Sequence, residues 1–239
     1  MKVGLLNCDH VRDDLQQVHG DYPAMFRALL PELDFEVFNV CDGQFPQSPA
    51  ACGAWLMTGS KCSVYDEVDW VLRLKVFVQN IFASRVPCVG VCFGHQMIGE
   101  ALGGKVEKSP HGWCVGVHEV EVFQNEGWMQ PFQTKLNVLM SCQDQVLQLP
   151  PGSKVLARSP LCPVAMFTVG GTMLGIQGHP EFTKEYDRAL MEGRVGKIGM
   201  GTFKNGIESF QKTVDRAVLA SWATRFYGQA RQGSEPCRG

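Results

Sequence analysis

Cys92 stands between two glycines in Val89-Gly90-Val91-Cys92-Phe93-Gly94-His95-Gln96, where an apolar run gives way to the helical pattern of Met97 to Leu102. A thiol so placed can act as a nucleophile. Glycines on both sides permit a tight, strained turn that leaves the reactive group at the top of a strand. The start of the following helix offers free N–H groups and the positive end of the helix dipole, which favour a thiolate. The same residues also fit a small buried side chain between two glycines, so the chemistry needs a proton acceptor.

That acceptor is available in Gly175-Ile176-Gln177-Gly178-His179-Pro180-Glu181-Phe182. Residues two apart on an extended segment point the same way, which lets Glu181 orient His179. A neutral His179 would take the thiol proton and return it to a departing amine, while the Glu181 carboxylate fixes the tautomer and stabilises the imidazolium. Alone, His-Pro-Glu is a surface turn; together the two segments form a Cys92-His179-Glu181 set.

Those residues need a scaffold. Lys2 to Leu6 is a short buried strand, followed by a polar loop to about Gly20 and a helix over Pro23 to Leu30. Strands follow at Phe35 to Val40 and Gly53 to Met57. Val68, Val71, Leu72, Val76 and Ile81 mark a helix between Asp66 and Ala83, and Val86 to Val91 returns as a buried strand. This alternation predicts an α/β fold, a mostly parallel sheet flanked by helices with ligands at the carboxyl ends of its strands. Past Gly103-Gly104 the runs become β-rich: Val115 to Phe123, Leu136 to Met140, Val155 to Ala157, Val164 to Val169 and Thr172 to Ile176, with Gly170-Gly171 as a hairpin turn. Gly193 to Gly201 is expected to be a mobile glycine-rich loop. Phe203, Ile207, Phe210, Val214, Val218, Trp222 and Phe226 form the core-facing stripe of one C-terminal helix, and Gly228 to Gly239 is expected to be a frayed tail.

The chain has 239 residues, 45% hydrophobic and 19% charged, which suits one single domain over 1–239 with a sizeable core. A formal net charge of −2 with scattered charges provides no footprint for nucleic acid or an anionic membrane, and no apolar run is long enough to span a bilayer. Ten cysteines without paired spacing, behind a start lacking a signal-peptide pattern, point to reduced thiols in the cytoplasm. No Cys-x-x-Cys or His-x-x-x-His pair is present and Cys8-Asp9-His10 is too cramped to bind metal alone, so neither metal nor cofactor is expected.

Gly-Val-Cys-Phe-Gly-His-Gln at 90–96, the following Gly103-Gly104 and Gly-His-Pro-Glu-Phe at 178–182 resemble the class I (triad) glutamine amidotransferases, over roughly Lys2 to Tyr186. The resemblance implies their flavodoxin-like fold with added hairpins and gives Trp55 to Ser60 the place of the oxyanion strand. Gly59 and Phe93 would then donate backbone N–H groups to a tetrahedral intermediate, and Gln96 would contact substrate. Ser141-Cys142-Gln143-Asp144 resembles the family's substrate loop, often Ser-His-x-Asp, from which Cys142 departs. Tyr65-Asp66 and His111-Gly112-Trp113 look most like stand-alone proteins similar to the amidotransferase domain of GMP synthase. No phosphate-binding glycine loop is present, so GMP synthesis by this chain alone is not expected.

Three functions follow from the likeness. In the first, glutamine is hydrolysed through a Cys92 thioester and its ammonia passes to a separate synthetase partner. In the second, a γ-glutamyl peptidase releases a peptide or amine; in the third, the fold is a non-catalytic binding module. Among other candidates, His95 is expected to be structural or to flank substrate, Cys88 to be an inert buried thiol, and Cys8 and Asp9 to be potential crevice residues. His111 and Trp113 either cover the substrate entrance or pack on the sheet edge.

Overall fold

The computed structural model describes residues 1–232. Its scaffold begins with β1 (Lys2–Asn7), α1 (Asp13–His19), α2 (Tyr22–Leu29), β2 (Asp34–Asn39), β3 (Ala54–Met57), α3 (Asp69–Ala83), β4 (Cys88–Val91) and α4 (Phe93–Ala101). The β-rich part comprises β5 (Lys105–Lys108), β6 (Cys114–Val122), β7 (Lys135–Cys142), β8 (Asp144–Gln148), β9 (Ser153–Ser159), β10 (Cys162–Val169) and β11 (Met173–Ile176). Helices α5 (Lys184–Glu192), α6 (Val195–Ile198), α7 (Met200–Ser209) and α8 (Arg216–Gln232) complete it.

Nine strands form one sheet in the order β2-β1-β3-β4-β11-β10-β9-β6-β7. The first five are mutually parallel, and the rest attach antiparallel. Every residue of β3, β4 and β11 is buried, as expected of central strands covered on both faces. On one face α3 and α4 bury Leu74, Val78, Ile81, Met97 and Ile98; on the other, α8 inserts Leu219, Trp222 and Phe226. The strand–helix alternation is therefore present as expected, and Gly170-Gly171 turns β10 into β11.

Several boundaries differ from the sequence reading. The polar stretch before Gly20 holds α1, a helix with no buried residue, so it carries no apolar periodicity. In α3 the inward stripe is Val71, Leu74, Phe77, Val78 and Ile81, while Leu72 and Val76 lie exposed on the outer side. The C-terminal stripe is split between α7 and α8, which serve different packing clusters: Phe203, Ile207, Phe210 and Val214 pack beside α5 and α6, and Val218 onward joins the main core. Gly193 to Gly201 contains α6 instead of a continuous loop. Strands β5 and β8 pair as an additional two-stranded sheet. Helix α8 continues through Gly228 to Gln232, where fraying was expected; residues 233–239, including Cys237, lie outside the described residues.

Candidate active site

The carboxyl ends of β1, β3, β4 and β11 converge, and the loops leaving them carry the residues singled out by their chemistry. The turn from β4 into α4 has Cys92 at φ 51°, ψ −101°, a left-handed backbone setting uncommon for a side chain with a Cβ. Its N–H is bonded to Ile176 O at 2.9 Å and its carbonyl accepts from Gln96 N at 3.0 Å, so both ends of the strained residue are fixed. The flanking glycines have a steric reason: a Cβ on Gly94 would lie 2.7 Å from Met57 Cβ, and one on Gly90 would run into the Gly94 carbonyl.

His179 and Glu181 come from the turn after β11. Glu181 Oε1 lies 2.8 Å from His179 Nδ1, and both side chains are buried. The His179 ring stacks on Phe182 with centroids 3.9 Å apart and planes 10° apart, while its backbone N–H donates to Leu139 O at 2.8 Å. Burial opposes an imidazolium here, but the adjacent Cys92 sulfur and Glu181 carboxylate outweigh it and raise His179 to about 10. The arrangement sets the His179 imidazole beside the Cys92 sulfur. Gly59 fills the gap beside it: a Cβ there would sit 3.0 Å from His179 Cε1 and 3.7 Å from Cys92 Cβ, leaving room only for bare backbone. Phe93, the first residue of α4, is fully buried next to Cys92.

A cleft of about 530 Å³ opens over Cys92 and is also lined by Gln96, Ser141, Cys142, Gln143 and Asp144. Gln96 Nε2 donates to Asp144 O at 2.7 Å and to Gln177 Oε1 at 3.2 Å, so this residue also positions the wall. Cys142 lies directly across β6–β7 from Cys114. Arg194 Nη1 reaches Ser141 Oγ at 3.4 Å. Asp144 accepts from Ser63 Oγ at 2.5 Å and from Tyr65 Oη at 3.1 Å, tying the loop after Gly59 to the opposite wall. At the other side of that loop, Asp9 accepts from Lys61 N at 2.9 Å and Nζ at 2.7 Å.

The remaining candidates separate. Trp113 lines the cleft, whereas His111 is exposed and outside its lining. His95 is fully buried edge-to-face on Phe167, neither ring nitrogen has a hydrogen-bond partner among the described residues, and burial lowers it to about 3, which fits the structural reading. Cys88 lies in the apolar core, where burial pushes its thiol up. Cys8 is buried with Sγ donating to Leu6 O, and Asp9 acts on the cleft through Lys61. Sequence reasoning did not find Phe182 as the ring under His179, the Asp144 latch, or the cations Lys61, Lys108, Arg194 and Lys197 around the cleft. It also missed Asp187, fully buried in α5 with no hydrogen-bond partner of close geometry for either carboxylate oxygen among the described residues; burial raises it to about 7 against the opposing influence of His179, Arg194 and the Gly116 backbone.

The profile of the family described as glutamine amidotransferase class-I matches residues 59–194. The chain belongs to that family. Gamma-glutamyl peptidase 4 of Arabidopsis thaliana is 29% identical over 207 residues, spanning 81% of this chain and 82% of the plant protein. The glutamine-hydrolyzing GMP synthase of Aeropyrum pernix is 35% identical over 181 residues, spanning 72% of this chain but 34% of that enzyme. The crystal structure of a glutamine amidotransferase from Methylobacillus flagellatus superposes with a TM-score of 0.74 at 19% identity, covering 100% of this chain and 97% of that one. The shared flavodoxin-like fold and the family are thus established. No described helix is long and apolar enough to cross a membrane.

Proposed function

We propose that this amidotransferase-family protein is a self-sufficient γ-glutamyl hydrolase, with γ-glutamyl peptides as its preferred substrate class. The observation that carries this reading is the charge of the cleft. Lys61 is paired to Asp9, and Lys108, Arg194 and Lys197 line the cleft against one lining carboxylate among the described residues, Asp144, which is already bonded to Ser63 and Tyr65. One cation suffices for the α-carboxylate of a glutamyl group; the surplus suits a second carboxylate on the leaving side, and the volume falls within the range of sites for larger ligands. The loop after Gly59 is held at Asp9 and at Asp144 by this chain's own residues, so no partner is needed to order it.

In this reading Cys92 Sγ attacks the δ-carbonyl carbon, and the developing oxyanion is bound by the N–H groups of Gly59 and Phe93. His179 delivers its proton to the amide nitrogen as the C–N bond breaks, and the amine or peptide departs. Neutral His179 then takes a proton from water, whose oxygen attacks the thioester carbon; the C–S bond breaks and glutamate leaves. Glu181 holds the His179 tautomer and balances the imidazolium. Gln96, Ser141 and Cys142 form the glutamyl wall.

The experiment is glutamate release by the purified chain from L-glutamine and from γ-glutamyl dipeptides with free or amidated carboxyl termini. The expected result is kcat/KM at least tenfold higher for free-acid peptides than for glutamine, with amidation removing most of that advantage. Turnover of glutamine alone would instead favour a glutaminase subunit that serves a separate synthetase; the GMP synthase of Aeropyrum pernix is a glutamine-hydrolyzing enzyme. No turnover of either would leave the binding-module reading.

A further inference from the structure

Outside the cleft, the loops after β1 and β2 bring together three residues that are 31 and 32 positions apart. His10 follows Asp9, and Cys41 and Asp42 lie in the 3-10 turn Val40–Asp42. His10 Nε2 is 3.0 Å from Asp42 Oδ2, and Cys41 Sγ is 3.9 Å from Asp42 Oδ1. One ligand atom from each of His10, Cys41 and Asp42 lies within 4.8 Å of the other two.

The outer partners are in place as well. Asp21 Oδ2 is 2.7 Å from His10 Nδ1, while Asp21 Oδ1 accepts the N–H groups of Val11 and Tyr22, both at 2.9 Å. That anchored carboxylate favours the tautomer with its proton on Nδ1, the arrangement commonly found behind a metal-bound imidazole. His10 Nε2 faces the Asp42 carboxylate at 3.0 Å, so the two can reach one shared ion. Cys41 stands beside the same carboxylate. A divalent cation would convert its thiol to a thiolate ligand.

We propose that His10 Nε2, Cys41 Sγ and one carboxylate oxygen of Asp42 bind a divalent transition metal of the zinc class, with Asp21 holding His10 from behind. The mixed nitrogen, sulfur and oxygen donor set suits a borderline-soft ion over calcium or magnesium. Tetrahedral zinc bonds place their ligand atoms roughly 3.3–3.8 Å apart, so small side-chain rotations close the site. Thiolate and carboxylate neutralise the ion, and the fourth position is open to water. The metal would fasten the β1 and β2 loops together next to Asp9, which holds Lys61 at the edge of the cleft.

The test is a cobalt(II) titration of the full chain carrying Cys92→Ala, which removes the thiol beside His179, followed by zinc displacement. One equivalent should bind with a sulfur-to-cobalt charge-transfer band. Adding Cys41→Ser should abolish the band, and adding Asp42→Ala should weaken binding at least tenfold; Asp21→Asn should weaken it on the order of tenfold. Metal-free melting curves establish that these variants, whose changes beyond Cys92→Ala are at half-buried or exposed positions, are folded. A cobalt spectrum and affinity unaltered by both Cys41→Ser and Asp42→Ala would overturn the site, and so would the absence of saturable binding to the Cys92→Ala protein.

Discussion

Strand β4 begins with Cys88 and runs directly into Cys92, and the two ends differ in almost everything that governs thiol chemistry. At the amino end, Cys88 has ordinary strand geometry, its N–H donates to Thr172 O at 2.8 Å, and apolar neighbours surround its sulfur. At the carboxyl end, Cys92 is at positive φ, begins a helix and faces His179. Both sulfurs are buried, so burial alone does not make a cysteine inert or reactive. The difference arises from the strand's polarity: its carboxyl end opens on loops that can supply charge, and its amino end does not.

Exchanging the sulfurs for hydrogen is the harshest test of that contrast. Cys92→Ala should lower glutamate release by at least about 10³-fold without unfolding the chain, and His179→Ala should do the same. Glu181→Gln, which keeps the shape but removes the charge behind His179, should lower kcat by about 10²-fold with little change in KM.

Asp187 extends the comparison to a buried carboxylate without a close hydrogen-bond partner among the described residues. Its folded-state pKa, about 7, lies above the usual value of 3.8, so the folded chain binds the extra proton between these values. Stability associated with this group is therefore greatest at low pH and declines as pH rises from about 4 through 7. Asp187→Asn should stabilise the fold by on the order of 2 kcal/mol at pH 8 and by little at pH 4, read from denaturant melts at the two pH values. The smallest effect belongs to Cys88→Ala, which should leave turnover intact and cost about 1 kcal/mol of stability through the small void it creates.

What the sequence revealed follows the range of its signals. Fully buried strands and the Gly-x-Cys-x-Gly turn are local patterns, and Gly90 and Gly94 are needed because α4 packs tightly over β3 and β4. His179, Glu181 and Phe182 are consecutive enough for the first two to be paired from spacing, yet the stacking of Phe182 under the ring depends on the turn's three-dimensional path. The Asp144 bonds to Ser63 and Tyr65 join segments about 80 residues apart and leave no periodic trace. Helix α1 was hidden because it buries nothing, and the break between α7 and α8 was hidden because both helices present apolar residues inward at similar spacing. The His10, Cys41 and Asp42 cluster was illegible for the same long-range reason: only the parallel pairing of β1 with β2 places those loops side by side.

The most direct test of the central claim is rapid-quench mass spectrometry of the protein mixed with a γ-glutamyl dipeptide. One γ-glutamyl group should appear on the peptide containing Cys92, formed and consumed at rates consistent with glutamate release. Steady glutamate release with no such adduct, or with the adduct on another cysteine, would contradict that claim.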